Sequence, residues 1–415
     1  MACEVTALKR TVIANARYWL HYLNARNDDD LIPEPDIRGV ARALEAVIGI
    51  SEAWPLTQSL ALALHPRMER RGRWADWDGF LQCLATRARQ RADPAAEAEL
   101  LAKRGQIQLQ RGAYQAAGAS YRRAWWLCYR AGDQLGRARA LSNLGYLYRL
   151  QGRFHCAEVL CRGALALFEA LGDTARLAQT ENHLGLVYFD QGRWSEALSH
   201  LVRSKELLEQ LDDRHSLAKT LQNLGVLHRH IGDAEAALAF FRRAIQHYQA
   251  VGDEIHVART QLNVGNVYLS QSDLLRAEMT YSRAESVLRR MGDSLDLARV
   301  RHNLGIVYTR LRNWTEAEAC FSRALEQWRN LEDTWNLANT LGEFSDLHLA
   351  RGRWMHAQAC LDEAWGLVSE RQEVHYSRLR LELAGRRQEL HRMAAPETHR
   401  DEVGPEMSPE PTPST

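Results

Sequence analysis

Residues 221–253 read LQNLGVLHRHIGDAEAALAFFRRAIQHYQAVGD, and nearly the same sentence stands forty residues earlier and forty later. Gly105, Gly145, Gly185, Gly225, Gly265 and Gly305 are spaced by forty without an insertion, and Ser345 takes the next place. Ala117, Ala157, Ala197, Ala237, Ala277, Ala317 and Ala357 keep the same register. So strict a period gives every unit one shape, and it rather than the length of 415 residues decides the architecture.

Each unit divides into two helical patterns around a short turn such as QGRW or IGDA. In the unit from Asp173 to Leu211, Leu177, Leu184, Val187 and Tyr188 make one helical face, and Trp194, Ala197, Leu198, Leu201, Leu207 and Leu208 another. Gly-Asp then punctuates: Gly132, Gly172, Gly252 and Gly292 suit a left-handed helix end, and Asp133, Asp173, Asp253 and Asp293 suit the next N-cap. The recurring glycine lies in mid-helix, where it costs about 1 kcal/mol against alanine. It is therefore a packing position and not a phosphate loop.

The pattern N-L-G-x-x-Y, G-R-W-x-x-A and then A-L resembles the tetratricopeptide repeat in a long, forty-residue form. The resemblance covers Arg91 to about Ser369 and implies an all-α fold, a right-handed α-solenoid of about eight helical hairpins with a short N-terminal helical cap. The expected organisation is a cap over 1–50, a degenerate first repeat over 51–90, seven units over 91–370, a last solvated helix over 371–393 and a disordered tail over 394–415. The degenerate repeat is read from Arg71-Gly72-Arg73-Trp74, in frame with Gln151-Gly152-Arg153-Phe154. Upstream, the order HYL, a polar break, a short helix and ALALHPRMERRGRWADW is similar to the start of the superhelical region in bacterial signalling ATPases of the STAND or NB-ARC type. The G-x-x-x-x-G-K-[ST] loop of such an ATPase does not occur in the sequence.

Lys+Arg 53 against Asp+Glu 52 gives no overall field for nucleic acid or anionic lipid, so charge recognition must be local. Lys9, Arg10, Asn15 and Arg17 interrupt the first residues, so no signal peptide is expected. No run of about eighteen apolar residues occurs in the sequence, and a cytoplasmic protein without membrane contact is expected. Seven cysteines form no Cys-x-x-Cys pair. His183, His230 and His302 lie in different units without an i+4 partner, so neither metal nor cofactor is expected. Trp74, Tyr114, Phe154, Trp194, Trp314 and Trp354 share the first turn of the second helix and read as core. Neither a Gly-x-Ser-x-Gly elbow nor an HExxH pair occurs, and no enzyme is expected.

One pair of columns could carry recognition. Asn143, Asn223, Asn263 and Asn303 share a register, and Arg139, Lys219, Arg259 and Arg299 stand four residues earlier, on the same helical face. The intervening unit departs, with Gln179 and His183 in those places and Asn182 alongside. Asparagine offers an acceptor and two donors to the main chain of an extended peptide, and the basic column could hold a carboxylate or phosphate. The same asparagines could instead pin neighbouring helices, and the basic column could be a solvated face. Arg149, Arg229 and Arg310, further along the same helices, read as solvated helix ends, with an extension of the basic groove as the alternative. The resemblance implies binding of extended or acidic peptides at these first-helix positions, hence a non-catalytic scaffold or adaptor for a peptide or partner protein. Two other expectations stand beside it: a peptide-sensing regulator with an effector N-terminal bundle, and the detached sensor arm of a signalling ATPase.

Overall fold

The computed structural model describes residues 2–26, 32–70, 74–371 and 374–394. The polar loop at 27–31, the Arg71-Gly72-Arg73 turn and the chain from 395 onward, where the tail was expected, lie outside the described residues, as does the side chain of Trp74. Among the described residues every regular element is helical. The chain opens with α1 (Ala2–Asn24) and α2 (Glu34–Val47), then a 3-10 turn at Ser51–Ala53. Eight hairpins follow: α3/α4 (Trp54–Arg70, Trp74–Gln90), α5/α6 (Pro94–Gln110, Tyr114–Ala131), α7/α8 (Gln134–Leu150, Phe154–Leu171), α9/α10 (Thr174–Asp190, Trp194–Leu211), α11/α12 (Arg214–His230, Ala234–Ala250), α13/α14 (Glu254–Ser270, Leu274–Met291), α15/α16 (Ser294–Arg310, Trp314–Asn330) and α17/α18 (Thr334–Ala350, Trp354–Val368). Last comes α19 (Val374–Ala394). Two compact units, Met1–Thr260 and Gln261–Thr415, divide within α13.

The helices begin and end for local reasons. Asp133, Asp173, Asp213, Asp293 and Asp333 each accept the backbone N–H three residues on, satisfying a donor that the first turn leaves unpaired. Gly132, Gly172 and Gly292 close the preceding helices at φ of 69, 67 and 73°, the left-handed conformation in which a side chain is strained.

Between those ends the recurring glycine decides how a hairpin closes. A Cβ on Gly225 would lie 2.6 Å from the ring of Phe241, one on Gly265 2.4 Å from Tyr281, and one on Gly305 2.6 Å from Phe321. Gly105 seats Tyr121 in the same way, Gly145 seats Cys161 and Gly185 seats Leu201. All six partners are buried. The glycine is a socket for a buried side chain sixteen residues on, and where that is an aromatic ring its burial contributes about 2–3 kcal/mol.

In unit 1, α1 to α3 share one core with α4 and α5. Buried Arg67 donates to the Leu23 and Arg26 carbonyls at 3.1 and 3.3 Å, completing the C-terminal end of α1. In unit 2, α19 is more than a solvated helix. Tyr376, Leu379, Leu383 and Leu390 are buried with Leu361, Ala364 and Val368 of α18, and Arg386 bonds Glu343 at 2.6 Å and Asp346 at 3.1 Å.

Candidate peptide-binding face

Because each helical residue turns about 100°, the asparagine two places before a glycine points some 200° away from the socket. The basic residue four earlier falls on the same side. Within unit 1 this face of α5, α7 and α9 encloses a cavity of about 180 Å³. Lys103 and Gln106 of α5, Arg139, Ser142 and Asn143 of α7, and Arg176, Gln179 and Thr180 of α9 line it, over Phe168. Three of these side chains are cations and none is a carboxylate. Counter-charges approach from outside the lining: Glu99 stands 3.7 Å from Arg139, and Asp173 pairs with Arg176.

The structure treats the sequence-derived positions unequally. Arg139 and Asn143 meet in the cavity. Asn182, buried, accepts a bond of 2.8 Å from Nδ2 of Asn223, so these two tie α9 to α11. In unit 2, Nδ2 of Asn303 donates at 2.8 Å to Oδ1 of Asn266, which also accepts the Tyr281 hydroxyl at 2.6 Å. Register pins and open positions therefore alternate within one column. Lys219 is exposed on α11, Arg259 is half-exposed on α13, and Asn263 is half-buried. Arg299 is exposed on α15 and pairs with Asp296 at 3.0 Å.

His183 takes the asparagine place on α9. It is buried, 3.3 Å from Ser142, with its ring centroid 4.7 Å from that of Tyr146 in a tilted arrangement. Burial, with the charges of Lys219 and Arg149 nearby, holds its pKa down to about 3, so it is a neutral, buried partner of Ser142 behind the cavity lining. Arg149 is not a solvated end: its side chain is 13% exposed and pairs with Asp190 at 2.7 Å.

Lys103, Gln106 and Arg176 were not singled out from the sequence. Lys103 and Glu99 had a signal, since they are the asparagine and basic columns carried one unit back, to positions where the residue types change. The expected aromatic core at the second helix is corrected in part. Tyr114, Trp194 and Trp354 are 38%, 39% and 41% exposed. They sit at the hairpin tip, and the buried socket partners stand seven residues, two helical turns, further on.

No described helix is long and apolar enough to cross a membrane. A family model for the tetratricopeptide repeat matches residues 136–210, 176–250, 217–290 and 296–365. No curated protein sequence matches the chain. Among solved structures it is similar to a signal transduction ATPase with numerous domains and a tetratricopeptide repeat sensor from Pyrococcus horikoshii, at 14% identity and TM-score 0.63, covering 93% of this chain and 55% of that one. A Rap protein complexed with competence and sporulation factor gives 14% identity and TM-score 0.59, covering 91% of this chain and 99% of that one. The apo form of the quorum sensor NprR from B. thuringiensis gives 13% and 0.55, covering 87% and 99%. At such identities the likeness is one of fold.

Proposed function

The chain belongs to the tetratricopeptide repeat family, and we propose that it is a non-catalytic adaptor that binds an extended segment of a peptide or partner protein across the first helices of unit 1. The observation that carries this reading is the cavity over α5, α7 and α9, with Lys103, Arg139 and Arg176 in its wall and no carboxylate among its lining residues. Its volume suits one side chain or carboxylate group rather than a whole ligand, so it is an anchor point. Asn143 stands beside it with an amide for the main chain of the segment, and Lys219 extends the positive face on α11. The preferred partner is acidic, and a signalling or regulatory role fits the solved relatives, one of which was captured with a competence and sporulation factor.

Within unit 1, Asn182 and Asn223 serve this face by holding its helices in register, whereas Arg139, Asn143, Lys219 and Arg259 are proposed to meet the ligand. Within unit 2, taken by itself, Asn303 is a register pin and Asn263 and Arg299 are proposed binding positions. The test is fluorescence anisotropy with a library of acidic labelled peptides, followed by the variants. Arg139→Glu with Asn143→Ala is expected to weaken the best peptide at least tenfold and to leave the melting temperature nearly unchanged. Asn223→Ala is expected instead to cost about 1–3 kcal/mol of stability, because it strands a buried amide oxygen. Full-strength binding by the stable Arg139→Glu, Asn143→Ala protein would move the site elsewhere.

A further inference from the structure

Away from that face, one side-chain cluster of unit 1 has the composition of a metal centre. His215 lies in the first turn of α11, Asp253 caps α13, and His256 lies in the first turn of α13. Nε2 of His215 is 3.2 Å from Oδ2 of Asp253, and Nδ1 of His256 is 2.7 Å from the same oxygen. All three donor atoms lie within 4.8 Å of one another. The other carboxylate oxygen accepts the His256 backbone N–H at 3.0 Å, so the capping bond fixes Asp253 with Oδ2 turned toward both imidazoles.

A capping aspartate commonly has company at its second oxygen, and the alternative is a plain hydrogen-bonded cluster. At Asp93 the company is Trp54 and Gln58, and at Asp333 it is Asn336. An indole N–H or an amide NH2 has no lone pair to give a metal, whereas an imidazole has one. The repeat frame adds a second argument. The places equivalent to His215 hold Leu135, Ala175, Ile255, Leu295 and Trp335, and those equivalent to His256 hold Gly136, Arg176, Ser216, Asp296 and Asn336. The repeat folds without histidine at either place, yet both histidines occur where the two places converge on one oxygen.

We propose that His215, Asp253 and His256 form a binding site for a divalent transition-metal ion of the zinc class, which clamps the first helices of two successive repeats, α11 and α13. Two imidazoles and a carboxylate suit such an ion. Bond lengths of about 2.0–2.1 Å place tetrahedral donors about 3.3 Å apart. The His215 to Asp253 spacing nearly meets that, and a rotation of the His256 ring opens the shorter one. Side-chain exposures of 38%, 22% and 31% leave room for water to complete the coordination. Each nitrogen must present its lone pair, so the proton it now shares with Oδ2 is released or moves to the other ring nitrogen, and acid weakens binding.

The test uses the full chain stripped of metal and titrated with Co2+, whose visible absorption reports four- or five-coordinate binding, then displaced by Zn2+. One equivalent should bind, give the band and raise the melting temperature. His215→Leu and His256→Asn install residues that sister repeats already carry, so both should fold. Each should lose at least the roughly 10–100-fold that even an outer-shell change costs in metal affinity, and the double variant should lose the band. No band in the unaltered protein, or a band that survives in the double variant, overturns the proposal. Imidazole proton NMR decides the matter without any variant. With one equivalent of Zn2+, resonances of two of the sixteen histidines should move, and movement of any other number overturns it.

Discussion

Glycine at the centre of a helix has two opposed effects, and the neighbour decides between them. On propensity alone, alanine would stabilise by about 1 kcal/mol. At Gly225, however, the new methyl would meet the buried Phe241 ring at 2.6 Å, and overpacking of this kind costs about 1–3 kcal/mol. Gly225→Ala is therefore expected to lower stability by about 1–2 kcal/mol. Gly79 lies exposed in α4 with nothing within 4 Å of its missing Cβ, and Gly79→Ala should raise stability by about 0.5–1 kcal/mol. Urea titrations of the two variants give opposite signs if the socket reading is right. Two stabilised proteins would mean that the ring yields.

The elements depend on their ends as much as on their faces. Most turns between the helices of a hairpin use a glycine with positive φ, as at Gly112, Gly152, Gly192, Gly232 and Gly352. At Ser272 and Arg312 the same turn is made by other residues at φ of 60 and 58°, and between hairpins Asp212 and Glu332 do so at 50 and 54°. A left-handed non-glycine residue carries about 1–2 kcal/mol of steric cost. Glu332→Gly is expected to raise the stability of unit 2 by about 1 kcal/mol, with helix content by circular dichroism unchanged. A loss of stability would show that Glu332 makes a contact worth more than its strain.

Across the whole chain, buried neutral histidines make the fold sensitive to acid. His65 accepts from the Trp77 indole through Nδ1 and meets Gln106 through Nε2, and burial, with the Lys103 charge nearby, holds its pKa down to about 3. His183 sits near 3, and burial pushes His302, 2.9 Å from Thr340, down to about 4. Each folded value lies below the unfolded value of about 6.5. Unfolding therefore takes up protons below that pH, and the stability these groups protect is full above it and lost as pH falls toward 3–4. From pH 6.5 to 5 the loss is up to about 2 kcal/mol for each histidine. Melting temperature should fall steadily over that interval, and His183→Asn, which restores the residue of neighbouring repeats, should make the slope shallower. A flat profile between pH 7 and 5 would remove the neutral-histidine assignment.

The forty-residue period, the capping aspartates and the left-handed glycines were legible in the sequence because they are local: each is fixed by a few adjacent residues and the backbone they permit. The family and the all-helical fold follow from them. What lies opposite each glycine needed the tertiary structure, since helical periodicity says which residues share a face and not which side chain of the next helix fills the gap. The same limit divided the asparagine column. Asn143 faces a cavity while Asn223 is spent on Asn182, because the donor's fate depends on what stands one position away on the neighbouring helix. His215 and His256 are 41 residues apart in the chain, and only the packing of α11 beside α13 brings them onto a single carboxylate oxygen.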